Sequence, residues 1–285
     1  MKLLWNTNKN INSFWGNYHF LNSSSWIYSI IRKIDYENID NVEQIDPNDV
    51  LIIVDSQLTI KKDFYLQLSK KCASIYLIHL GDEGATEDTN MIYNNCKHVW
   101  RTFGLPRHFQ SKNVTCIPIG YKSGLFYKKK DVTERKYLWS FMGTVHGSSR
   151  FDLINKHKKL EPNFIKKTKS FGSNESLAPE EYYKILNEST FVLVPHGYLH
   201  PESYRLYEGL ECGCIPIIEN PHNFYNHFLL EHPLITINLW KESLETINDL
   251  YKNKEKLKDK SKEINNWWNE YKLNLQTKIK NKIYV

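Results

Sequence analysis

The chain lacks several features that would have placed it in a familiar class at once. No apolar run approaches the ~20 residues of a membrane-spanning helix. The N-terminus has no apolar signal-peptide core, so an exported or anchored chain is not expected. Five cysteines in 285 residues is an odd number, which argues against a disulfide framework. Two of them, Cys212 and Cys214, flank a single residue but have no second pair at metal spacing, so a zinc site is not expected either. No internal repeat of roughly 20–50 residues is visible, which speaks against a solenoid or propeller. Without an export signal, the sequons at Asn22, Asn113, Asn174 and Asn187 read as chance in an Asn-rich chain.

What is present fits a soluble protein of two domains. At roughly 100–200 residues per domain, 285 residues make about two, each able to bury a sizeable core. The net charge is +6, and the isoelectric point is near 8.8. That mild excess suits an anionic small molecule or a loose membrane contact as well as nucleic acid. The lysines are interleaved with acids, however, and form no contiguous stripe, so nucleic acid is not the expected partner. Eight tryptophans and eighteen tyrosines offer faces that could stack on sugars.

Taken in order, Lys2–Trp5 reads as a first strand and residues 6–18 as a polar, aromatic loop containing Trp15 and Gly16. Ile27, Ile30, Ile31 and Ile34 share one face of a helix over 25–34. Val50–Val54, Ser74–Leu80, Val99–Arg101 and Val114–Ile119 are apolar strands, with a helix over 61–71. Strands alternating with helices predict a parallel, doubly wound sheet, whose ligand contacts lie at the strands' carboxyl ends. Acids stand at two such ends: Asp55, and the pair Asp82-Glu83 bracketed by Gly81 and Gly84. The charged run 121–136 reads as a linker. A second domain opens with the strand Tyr137–Gly143, a small polar loop with His146 and Gly147, and a helix that starts at Arg150 and turns Phe151, Leu153 and Ile154 inward. A helix over 179–187 and a buried strand Thr190–Val194 lead to a loop holding His196 and His200. Two histidines without a third ligand at zinc spacing point to phosphate or sugar contacts, or to hydrogen-bonded loop residues, more than to a metal. Leu234–Ile237 is the last strand. A charged helix follows over 244–271, its lysines forming a solvated face or, alternatively, a basic membrane-surface face.

The densest signal is residues 203–219, Ser-Tyr-Arg-Leu-Tyr-Glu-Gly-Leu-Glu-Cys-Gly-Cys-Ile-Pro-Ile-Ile-Glu. Leu206 and Leu210 share a helix face. Gly213 stands where a helix end needs positive φ, and Ile215, Ile217 and Ile218 make a buried strand with Pro216 near its start. Ser203 and Arg205 fall in the first helical turn and Glu208 one turn later. A helix N-terminus attracts phosphate, an Arg fork adds charge-assisted donors, and a Glu one turn deeper can accept from two ribose hydroxyls. The plainer alternative is an ordinary helix–strand unit with Arg205 and Glu208 as a surface pair.

The run from Arg205 through Glu208-Gly209-Leu210 to Gly213-Cys214-Ile215-Pro216 resembles the donor-site signature of exostosin-like glycosyltransferases, strongly over residues 138–220 and weakly before. The resemblance implies an α/β chain of the GT-B class, with two Rossmann-like domains whose parallel sheets face each other across a cleft. Residues 1–125 would be the acceptor domain, 126–260 the nucleotide-sugar domain, and 261–285 a helix packing back on the first, anchored by Trp267 and Trp268. It implies a sugar transferred from a nucleotide sugar to a glycan or glycoconjugate acceptor. UDP-linked donors such as UDP-xylose or a UDP-hexuronate are expected ahead of GDP-fucose. Glu208 would hold the ribose; Ser203, Tyr204, Arg205, Gly143, Arg150 and His196 would serve the donor.

Retaining enzymes of the Glu-x7-Glu type carry a Glu eight residues before the ribose Glu. Here that position is His200, so inversion is expected. No Asp-x-Asp occurs, and neither metal nor other cofactor is expected. An inverting enzyme needs a base; Asp82 and Glu83 are the first choices, Glu87 and Asp88 the second, then Asp55 and His19, with Arg101 and Trp15 on the acceptor. The alternative for Asp82 or Glu83 is a helix cap. A cytoplasmic location and a viral or bacterial source fit the missing anchor. A non-catalytic carbohydrate- or nucleic-acid-binding module of the same fold is the competing class.

Overall fold

The computed structural model describes residues 1–6, 14–124, 129–170 and 173–284. It divides into two compact units, Met1–Ile119 with Leu273–Val285, and Gly120–Lys272. The division thus falls a few residues before position 125, and the last stretch of chain groups with the first unit.

The first unit is built on β1 (Lys2–Trp5), α1 (Phe14–Ile31), β2 (Glu37–Ile39), β3 (Val50–Asp55), α2 (Lys62–Leu68), β4 (Ser74–His79), α3 (Asn90–Asn94), β5 (His98–Arg101), α4 (Pro106–Phe109) and β6 (Val114–Cys116). Its sheet has the order β2-β1-β3-β4-β5-β6, every pairing parallel. The central strands β3, β4 and β5 are buried on both faces, as Leu51–Asp55 and Ile75–His79 show, which is why they read as unbroken apolar runs. Two features differ from the sequence reading. Helix α1 begins at Phe14, inside the stretch read as a loop, because a polar, aromatic run carries no apolar period. The short edge strand β2 was not foreseen; with only Ile39 buried, it has no apolar run to betray it.

The second unit contains β7 (Tyr137–Thr144), α5 (Gly147–His157), β8 (Asn163–Thr168), α6 (Pro179–Asn187), β9 (Ser189–Val194), α7 (Tyr204–Glu211), β10 (Ile215–Glu219), β11 (Ile235–Ile237), α8 (Glu242–Lys252) and the part of α9 (Lys254–Tyr284) up to Lys272. The order is β11-β10-β9-β7-β8, again parallel throughout. On α5, Leu153 and Ile154 are buried as expected, but Phe151 is 63% exposed. The helix read as 244–271 is two helices. Asn253 breaks them with φ −114° and ψ 97°, and its side chain accepts from the Lys256 amide at the start of α9. Trp268 packs within the second unit, donating to Glu211 Oε1 at 2.7 Å and stacking on Tyr271. The contacts of α9 in the first unit come later, from Leu275, Gln276, Ile279 and Ile283. Gln276 donates to the Ser29 carbonyl at 3.1 Å.

The helix–strand unit at 203–219 is closed by glycines for two different reasons. At Gly213, φ is +70°; its amide donates to Leu210 O and the Cys214 amide to Gly209 O, the paired bonds of a Schellman motif. Gly209 instead lets α7 lie against β9, since a Cβ there would come 2.5 Å from Val192 Cγ1. Pro216 pairs with Val192 on one side, while β11 joins β10 only from Ile217 onward.

Candidate functional site

The carboxyl ends of β7 and β9 and the N-terminus of α7 form one polar cluster in the second unit. Ser203 is the N-cap of α7, extended at φ −138° and ψ 137°, and its side chain makes no cap hydrogen bond. The first amides of the helix therefore lack the partner an N-cap serine usually supplies. Arg205 is 8% exposed. Its Nη2 donates to the Met142 carbonyl at 2.8 Å, and its guanidinium carbon lies 4.7 Å above the Phe141 ring. Its Nη1 is buried without a hydrogen-bond partner. A buried cation with an unmet donor is costly, and an anion is its natural complement. Gly143, at φ +142°, makes the approach possible: a Cβ there would stand 2.9 Å from Arg205 Nη2. Glu208 is 3% exposed and accepts from the Tyr182 hydroxyl at 2.7 Å. Burial and the neighbouring Glu208 charge hold that phenol well above its ordinary pKa. Tyr204 is half-buried, with the Lys122 ammonium 5.9 Å from its ring.

A frame of hydrogen bonds joins the surrounding loops. Arg150 Nη1 donates to the Thr144 carbonyl at 2.8 Å, and its Nε and Nη2 donate to the His196 carbonyl at 3.2 and 2.7 Å. With every guanidinium nitrogen on a main-chain oxygen, Arg150 fastens the two loops beside the place where the sequence reading put a diphosphate. Glu219 fastens the same place from the other side. Its Oε2 accepts from Ser149 Oγ and from the His196 amide at 3.4 Å, and lies 3.6 Å from His196 Nε2. The Trp240 indole donates to Ser149 Oγ at 3.0 Å. The His196 imidazole is 38% exposed beside this carboxylate. Sequence reasoning missed Glu219, although its place at the carboxyl end of β10 was a usable signal. His200 is buried edge-on to Phe224, with Nδ1 accepting from the Glu202 amide at 3.2 Å. Among the described residues no group of three or more His, Cys, Asp or Glu is placed to hold a metal.

In the first unit the acids after β4 have unequal surroundings. Asp82, at φ +59°, has no exposed side-chain surface; its Oδ2 accepts from Arg101 Nη2 at 3.1 Å and its Oδ1 from the Thr86 and Glu87 amides. That arrangement organises the loop and leaves Asp82 no access to a substrate proton. Arg101 is likewise fully buried. Its other donors go to the Thr102 carbonyl, the Tyr93 hydroxyl and His108, so it orients Asp82 and does not face an acceptor. Glu83 is half-buried. Glu87 accepts from the Leu58 amide and lies 3.6 Å from His79; Asp88 pairs with Lys62. Asp55 is fully buried among Asn6, Ser56, Lys61 and Tyr65. Trp15 and His19 lie on α1, and their side chains fall outside the described residues.

A cavity of about 310 Å³ lies near Gly213, at the amino end of β10 and so away from this cluster. It is lined by Lys129, Lys130, Arg135, Lys258 and Lys262, and four of these five cations serve the protein itself. Lys129 and Arg135 donate to the Leu210 and Cys212 carbonyls at the end of α7, Lys130 pairs with Glu188 and Lys258 with Asp131.

Two parallel α/β units are the architecture of the GT-B class. The chain is similar in fold to an α1,3-fucosyltransferase (TM-score 0.57, 11% identity, 100% of this chain and 90% of that one), which is also seen with GDP. It is similar too to the T4 phage BGT bound to its UDP-glucose substrate (TM-score 0.53, 14% identity, 100% of both chains). Residues 125–284, more than half of the chain, match the family model of the RXYLT1 C-terminal domain, and the chain belongs to that family. A probable xyloglucan galactosyltransferase GT12 of Arabidopsis thaliana is 29% identical over 139 residues, which span 45% of this chain and about a quarter (24%) of that protein.

Proposed function

We propose that the chain is a nucleotide-sugar-dependent glycosyltransferase, passing a sugar from a nucleoside-diphosphate donor to a glycan acceptor. The observation that carries this reading is the buried Arg205 guanidinium with its unpartnered Nη1 at the first turn of α7. A diphosphate supplies the missing acceptors, and a ribose placed one turn deeper supplies donors to Glu208. The family and the plant galactosyltransferase relative support transfer of a sugar over a non-catalytic binding role.

The finer reading takes UDP as the nucleotide, in keeping with the UDP-glucose of the phage neighbour, with GDP as the competitor raised by the fucosyltransferase. Reaction proceeds with inversion. The acceptor hydroxyl loses its proton to Glu83 while the anomeric carbon is attacked from the face opposite the diphosphate. Charge on the departing diphosphate is met by Arg205 and the α7 amides, so turnover is expected to survive EDTA. Calorimetric titration of UDP and GDP into the chain and into Arg205→Ala tests the reading. UDP should bind more tightly than GDP, and the variant should lose roughly tenfold or more in affinity. A variant that binds both nucleotides like the wild type would overturn the placement of the donor.

A further inference from the structure

We infer that Tyr182 is the positioning residue that sets Glu208 to read the two ribose hydroxyls, and so makes the site selective for ribonucleotides over deoxyribonucleotides. This rests on the donor-site reading above. Glu208 is almost wholly buried, yet its Oε2 accepts from a neutral donor, the Tyr182 hydroxyl at 2.7 Å. A carboxylate on a flexible side chain can read a vicinal diol only if its plane is held. A bond to one oxygen does this and leaves the other oxygen's lone pairs for a ligand.

The donor is dependable for two reasons. Tyr182 sits on α6, which packs against α7, so its ring is carried by a neighbouring helix and not by a loop. Its ring also meets Tyr183 edge-on at 5.5 Å, which restricts its rotation. Burial keeps its phenol protonated through the physiological range, so it always donates to Glu208. Tyr183 makes a useful contrast. Its hydroxyl turns instead to the Lys122 carbonyl, donating at 3.0 Å.

The test compares UDP with 2′-deoxyUDP, and GDP with 2′-deoxyGDP, by calorimetry on the full chain, on Tyr182→Phe and on Tyr183→Phe. The wild type should favour the ribonucleotide by roughly tenfold, the worth of one hydrogen bond to a charged group. Tyr182→Phe keeps the ring and removes only the donor. It should bind the ribonucleotide several-fold more weakly, bind the deoxynucleotide about as before, and so lose most of the discrimination. Tyr183→Phe should keep the full ratio even where its melting temperature falls, because a loss of packing weakens both ligands alike. Wild-type discrimination that persists in Tyr182→Phe overturns the inference while leaving the donor site in place. A wild type that binds both members of each pair equally overturns the ribose role of Glu208 and this inference with it.

Discussion

Arg205 Nη2 reaches the carbonyl of Met142 at 2.8 Å only because the next residue, Gly143, has no side chain to stand in the way. Met142 ends the buried part of β7 and Arg205 opens α7, so this bond ties the two elements whose ends would hold a diphosphate. Gly143→Ala should therefore act on the nucleotide site. The new Cβ would stand 2.9 Å from Nη2, and φ +142° is poorly tolerated by any side chain. Nucleotide affinity should fall by roughly tenfold or more, close to the loss in Arg205→Ala, while circular dichroism stays native. Wild-type affinity in Gly143→Ala would show that Arg205 does not need this approach.

Glu219 makes a second prediction, one that separates geometry from charge. A single oxygen, Oε2, takes both the Ser149 hydroxyl and the His196 amide. Glu219→Gln retains an accepting oxygen at that place; Glu219→Ala retains none. The glutamine variant should bind nucleotide within a few-fold of the wild type, and the alanine variant roughly tenfold more weakly. Hydrogen exchange at the His196 amide, measured without nucleotide, should accelerate in the alanine variant alone. Equal damage in both variants would mean that the negative charge matters and the hydrogen-bond geometry does not.

What could be read from the residues follows from how local each feature is. Gly213 and the Leu206–Leu210 face are fixed by neighbours a few positions away, and the parallel strands announce themselves as apolar runs because both faces are buried. The edge strand β8, Asn-Phe-Ile-Lys-Lys-Thr, has one neighbour and no apolar run, and was not foreseen. At the site, Arg205 and Glu208 were legible because helix spacing puts both on α7. Tyr182 was not, since 26 positions separate it from Glu208. Nor was Glu219, which lies 70 positions from Ser149. Arg150 drew attention for its charge, but its commitment to Thr144 and His196 depends on loop packing that no spacing encodes.

The stability of the first unit should respond to acid through His98. Burial, with the Lys282 charge added, pushes its pKa down to about 4 from an ordinary value near 6.5. The folded state therefore holds fewer protons than the unfolded state across that window. Stability is fully present above about pH 6.5 and is lost as the pH falls toward about 4. Between pH 7 and 5 the loss from this one group is about 2 kcal/mol. Urea melts of His98→Gln should show a shallower decline over that range than the wild type. Parallel declines would assign the acid sensitivity of the first unit to groups other than His98.

The two acids after β4 should prove to have separate tasks. Asp82 and Arg101 form an ion pair with no exposed surface, and Asp82 also accepts from two loop amides. Breaking a buried pair by removing one partner leaves an uncompensated charge and typically costs ~3–5 kcal/mol. Asp82→Asn keeps an oxygen for the amides but strands the Arg101 cation. It should lower the unfolding free energy toward that range, and Arg101→Met should do the same by stranding the carboxylate. Once Asp82→Asn is assayed below its own melting transition, any fall in turnover should be modest, because the side chain does not reach solvent. Glu83, one residue on and half-buried, is the candidate to take the acceptor proton. Glu83→Gln should reduce turnover by ~10²–10⁴, with nucleotide affinity and melting temperature near those of the wild type. Steady-state kinetics beside calorimetry and thermal melts, run on all three variants, distinguish the roles. If Glu83→Gln turns over normally while Asp82→Asn loses turnover without losing stability, the assignment is reversed, and the loop must open to bring Asp82 to the substrate.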